Sequence, residues 1–135
     1  MRLRNEGRIA MPHSITTPDH LCEMAAALLA RNDFCLRLLT QNWLRTRPHF
    51  RAVAAPDTTD PRMLVAAAAL VELLAQRADQ PPPTWTATVG PMPEPFFVMR
   101  RAERPGFTRD LCLNESPEPL RLHNIFAPPN FLMMA

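Results

Sequence analysis

The sequence predicts a mainly α fold: a three-helix core, short C-terminal helices and a proline-rich extended strap, with room for one small β-hairpin. Three observations carry that expectation. Apolar residues recur at helical spacing in three separate stretches before position 80, each stretch opens on a capping residue or a proline, and prolines then crowd the chain beyond it. At 135 residues, with 47% hydrophobic and 21% charged side chains, the chain is long and apolar enough for one folded domain. Residues 1–16 are expected to form a flexible N-terminal extension, with either Met1 or Met11 as the start. Residues 17–135 are expected to form a single helical domain whose strap begins at about 80.

The first helix opens at Thr17-Pro18-Asp19, where threonine caps, proline fits the first turn and aspartate complements the positive end of the dipole. Leu21, Met24, Ala25, Leu28 and Leu29 follow as one apolar stripe. Asn32-Asp33 breaks and re-caps the chain. The second helix is expected to turn Phe34, Cys35, Leu38, Leu39 and Trp43 inward and Arg37, Gln41 and Arg45 toward water, and to stop before Pro48. Asp60-Pro61 opens the third helix, whose body from Met63 to Ala75 is apolar all round except at Glu72, the mark of a central helix. Short connections predict antiparallel packing of the three.

Pro81-Pro82-Pro83 favours an extended polyproline run. Residues 84–89 then read in two ways. Alternation of Trp85, Ala87 and Val89 fits a strand paired with Phe96-Phe97-Val98, and a short helical turn anchored by Trp85 fits equally well. Further on, Thr108 is expected to cap a short helix with Phe107 stapled against Cys112, and Ser116 to cap a helix at 117–120. The apolar tail from Ile125 to Leu132 is expected to be pinned to the core or to a partner.

Composition excludes several chemistries. All fifteen basic residues are arginine, so neither a P-loop lysine nor a Schiff-base lysine exists. The three glycines, Gly7, Gly90 and Gly106, are too scattered for a phosphate-cradling loop. Serine occurs only at Ser14 and Ser116, and there is no tyrosine. A net charge of +2 is too small for a protein built to neutralise many phosphates. Three unpaired-looking cysteines, Cys22, Cys35 and Cys112, and the absence of a signal-like or membrane-spanning apolar run, point to a cytoplasmic protein.

One set of segments carries a resemblance: Glu94-Pro95-Phe96-Phe97, Asn114 through Arg121, Asn124-Ile125-Phe126, Asn130-Phe131-Leu132, and the alanine-rich helix followed by Pro-Pro-Pro-x-Trp at 81–85. Together they resemble the C-terminal module of small uncharacterised bacterial proteins, some with a helix-turn-helix and some encoded near nucleotidyltransferase-like toxins. The resemblance spans about the last half of the chain and implies a partner-binding, antitoxin-like role with no catalytic residues to carry over. Upstream, no DNA-binding motif is evident.

Four candidate sites follow from the residues. His20, Cys22 and Glu23, with Cys35, Cys112 and His123, supply metal-ligand types but no CxxC or HExxH spacing, so no metal is expected. Glu115, Glu118 and His123 lie in one short segment and could serve acid/base chemistry, although carboxylates at a helix start also have a purely structural use. Arg37, Arg45, Arg47 and Arg51, interleaved with His49 and Phe50, form the densest basic region and suit phosphate or an acidic partner. The favoured site is the aromatic set Trp85, Phe96, Phe97, Phe126 and Phe131, rigid anchors for a protein partner.

The expected function is therefore non-enzymatic: a protein-binding module, antitoxin-like or regulatory, that occludes a cognate toxin or enzyme or associates with itself. No catalytic residue, cofactor, metal or membrane is expected. The alternatives are a small metal- or acid/base-dependent hydrolase and a DNA-binding repressor. On the favoured reading, Phe126→Ala and Phe131→Ala abolish partner capture and leave the helical signal intact.

Overall fold

A computed structural model describes residues 18–133. Within them the chain is mainly helical, with one tiny two-stranded sheet, and no helix among the described residues is long and apolar enough to cross a membrane. The expected Thr17 cap and the N-terminal extension lie outside the described residues.

Helix α1 (Pro18–Leu29) buries Leu21, Met24, Ala25 and Leu28, the stripe that its spacing predicts. It closes with Arg31 in the left-handed region (φ 56°), Arg31 N–H on Leu28 O and Asn32 N–H on Ala27 O, a Schellman ending with arginine where glycine is usual. Asn32 then caps α2 (Asp33–Arg45) by accepting from Cys35 N–H at 3.1 Å. Helix α3 (Pro61–Arg77) starts on Asp60, whose carboxylate accepts from Arg62 N–H at 3.0 Å. Val65–Val71 and Leu73–Ala75 are all buried, so α3 is the central helix. It packs against α1 on one side and α5 on another, while α2 joins the assembly on α1.

The inward face of α2 differs from the expected one. Leu36, Thr40 and Trp43 are buried with Leu39 half-buried, whereas Phe34 is 77% and Leu38 48% exposed. Two contacts set this rotation. Trp43 packs edge-on against Phe50, centroids 5.4 Å apart, and Thr40 satisfies its hydroxyl on Leu36 O at 2.7 Å, which admits a polar residue to the core.

Past α3 the strap is laid on the core by specific bonds. Gln80 accepts from Phe50 N–H at 3.0 Å, Pro83 has polyproline dihedrals (φ −62°, ψ 152°), and residues 84–88 form a 3-10 turn. The strand alternative at 84–89 is therefore not taken. Thr86 and Thr88 donate back to Pro83 O and Trp85 O, and the Trp85 indole donates to Val53 O at 2.8 Å, bonds a strand would not make. The hairpin is absent too. Strand β1 (Phe96–Phe97) pairs instead with β2 (Ile125–Phe126), in parallel, Phe96 opposite Ile125 and Phe97 opposite Phe126. A parallel pair needs a crossover, and a 3-10 turn at Arg100–Glu103, α4 (Phe107–Glu115) and α5 (Glu118–Leu122) supply it.

Two smaller expectations are also corrected. Phe107 is 81% exposed and staples nothing, because α4 begins on Gly106 (φ 148°) and aims that ring at solvent. Ser116 makes no capping bond to α5. Its hydroxyl lies within hydrogen-bond distance of Cys112 O and Ala127 O and accepts from Ala127 N–H at 2.8 Å, which ties the end of α4 to the segment after β2.

Candidate partner-binding surface

The aromatic set is core. Phe96 and Phe97 are each 6% exposed and Phe131 8%, while Trp85 and Phe126 are half-buried against core neighbours. Each ring is held within its own chain. Arg31 stacks on Phe96 at 4.6 Å, Arg109 on Phe97 at 4.7 Å, Phe126 lies 5.5 Å from Phe97, and Arg77 donates to the carbonyl of Phe131. A chain of this size needs that burial for its own stability, so its strap completes the core and keeps little ring surface for a partner.

The arginines have different fates. Arg37 pairs with Asp33 at 3.0 Å, Arg45 donates to Asn42 Oδ1 at 3.2 Å, Arg51 reaches Pro82 O at 3.3 Å, and Arg47 is exposed with φ 53°. They do not form one patch with His49 and Phe50, since Phe50 is buried against Trp43. The structure assembles a different basic group around Arg37: Arg31, Arg100 and Arg101 join it on the walls of a groove of about 590 Å³. The adjacent Arg100-Arg101 pair was the readable signal for this group, and the arrival of Arg31 beside it was not readable. Arg31 is fixed by donating to Phe97 O at 2.9 Å and to Glu103 at 2.6 Å. Arg100 and Arg101 are exposed and form no ion pair with any described residue.

The outward face of α2 borders this groove through Arg37. Steps of three and four residues set Phe34, Arg37, Leu38, Gln41 and Arg45 along a single exposed stripe. An exposed aromatic ring beside arginine forks is a combination enriched in protein interfaces.

The metal and acid/base candidates separate in space. Among the described residues no group of three or more His, Cys, Asp or Glu could hold a metal ion. Cys112 is buried in a small cluster with Phe97 and Ala102, and burial pushes its thiol up, away from the reactive thiolate. His123 does not join Glu115 or Glu118. Its Nε2 meets Glu72 Oε1 at 2.8 Å and its Nδ1 meets Gly90 O at 3.3 Å. Burial alone would lower its pKa, but the hydrogen bond and charge of Glu72, with the Gly90 carbonyl, raise it. Glu72, Asp79 and Glu118 do line an open cavity of about 590 Å³ with Gln76, Gln80 and Leu122. His123 stands behind Glu72 rather than in the cavity wall, and no hydroxyl or thiol side chain lines that cavity.

Compared with known protein families, curated proteins and solved structures, the chain matches none.

Proposed function

We propose that the chain is a non-enzymatic protein-binding module, an antitoxin-like or regulatory partner that occludes an acidic surface of another protein. The observation that supports this is the outward face of α2, where Phe34 is 77% exposed and Leu38 48% exposed on one stripe with Arg37 and Arg45. Burying what these two side chains leave exposed would contribute about 2–4 kcal/mol to a complex in total. The helix has 13 residues and is therefore about 20 Å long, enough to span one side of an ordinary interface. The arginines on the same stripe as Phe34 and Leu38 choose an acidic partner and repel a basic one. Partner capture thus belongs to α2 on this reading, and the aromatic strap supports it only by holding the core together.

The test is capture of an acidic protein from an extract of the native host, compared between variants. Phe34→Glu with Leu38→Glu should lose the captured species at unchanged circular dichroism, and Arg121→Gln, exposed on α5, should keep it. Retention of the same species by the Phe34→Glu/Leu38→Glu protein would overturn the reading.

A further inference from the structure

The groove beside α2 has features that the face itself lacks. Four guanidinium groups, those of Arg31, Arg37, Arg100 and Arg101, stand on its walls, and two carboxylates, Glu103 and Asp33, pair with the first two of them. Two are already immobilised, Arg31 on Phe97 O, Glu103 and the Phe96 ring, and Arg37 on Asp33. Both are paired with carboxylates, so the uncompensated positive charge of the groove is that of Arg100 and Arg101. The other two, Arg100 and Arg101, have every donor free for an incoming acceptor. Val98, Met99, Pro128 and Phe131 give the groove an apolar lining, with Met99 39% exposed.

We infer that this groove binds an extended acidic segment of the partner, with carboxylates held by Arg100 and Arg101 and an apolar side chain laid against Val98 and Met99. The inference rests on the protein-binding reading and names the chemistry of the bound segment. Guanidinium forks match carboxylates in pairs, and the adjacent apolar lining accepts what a peptide places between its acidic residues. Nucleic acid fits less well. Two free arginines release about two counterions, which gives only about a twelvefold fall in affinity between 50 and 200 mM salt, and a bare phosphate backbone leaves the apolar lining unused.

The test measures anisotropy of a labelled, end-capped peptide in which Glu and Leu alternate. A peptide with Gln in place of Glu and a labelled DNA duplex are run beside it. Wild-type protein should bind the Glu peptide. Affinity should fall about tenfold or more for the Gln peptide and for Arg100→Gln/Arg101→Gln, and be unchanged in Arg121→Gln. Equal binding by Arg100→Gln/Arg101→Gln, absence of binding, displacement of the peptide by inorganic phosphate, or tighter binding of the duplex would each overturn it. The Phe34→Glu/Leu38→Glu protein separates this inference from the α2 reading: it tests partner capture directly and retains Arg100, Arg101 and the groove lining.

Discussion

His123 Nε2 lies 2.8 Å from Glu72 Oε1, and the opposite ring nitrogen of His123 faces the carbonyl of Gly90. Both neighbours are acceptors, so both ring nitrogens must carry protons for the two bonds to exist together, and the geometry calls for imidazolium. The pair joins α3 to the strap, and Met92 N–H on His123 O (2.9 Å) with Asn124 Nδ2 on Met92 O (3.0 Å) extend the same junction.

A pH dependence follows. The folded pKa of His123 is raised above the ordinary 6.5, because the bond and charge of Glu72 outweigh burial. Its contribution is therefore complete below pH 6.5 and lost as pH rises through the folded value. Urea midpoints measured from pH 6 upward should fall, and His123→Gln should flatten that fall while costing about 3 kcal/mol at low pH. The same slope in wild type and variant would place the titrating group elsewhere.

Ser116→Ala should cost about 1–3 kcal/mol, because it strands the buried N–H of Ala127 without its acceptor. Hydrogen exchange at the Ala127 amide reads this directly and should accelerate well before the amides of α3 do.

The alanines of α3 are a packing requirement. Ala66, Ala67, Ala68 and Ala69 are fully buried in a helix that packs against both α1 and α5. Ala67→Leu should destabilise by about 1–3 kcal/mol in a denaturant titration, although leucine is an excellent helix former.

Sparse glycine leaves its own trace. Arg31, Arg47, Asp79, Asn124 and Leu132 all occupy positive φ, four of them just past the ends of α1, α2, α3 and α5, where other proteins place glycine. Asp79 follows α3 at φ 56°, with its N–H on Gln76 O and Gln80 N–H on Ala75 O. Asp79→Gly should raise stability by about 0.5–1 kcal/mol, seen as a higher Tm.

Helices α1 and α3 were legible because their signals are local: an Asp60 cap, prolines at first turns, a single apolar stripe in α1 and a nearly unbroken apolar body in α3. The rotation of α2 was not. Its wheel carries Phe34, Cys35, Leu36, Leu38, Leu39, Trp43 and Leu44, apolar residues on nearly every side, and only contacts with Phe50 and α1 select the buried one. The parallel pairing of Phe96 with Ile125 joins segments separated by two helices, which no short-range pattern encodes. Arg31 meets Phe97 across a comparable gap, so the arginine groove was hidden for the same reason. The aromatic strap was recognised as apolar and rigid, yet whether it covers its own core or another molecule depends on tertiary contacts such as Trp85 on Val53 O.

The most direct measurement takes stability and partner capture together on two proteins, Phe131→Ala and Phe34→Glu/Leu38→Glu. Phe131 is core, so its truncation should lower stability by about 3–5 kcal/mol. Phe34→Glu/Leu38→Glu should leave Tm almost unchanged and abolish capture. Capture that persists in Phe34→Glu/Leu38→Glu, or that vanishes in Phe131→Ala while its Tm stays at the wild-type value, would contradict the placing of the interface on α2.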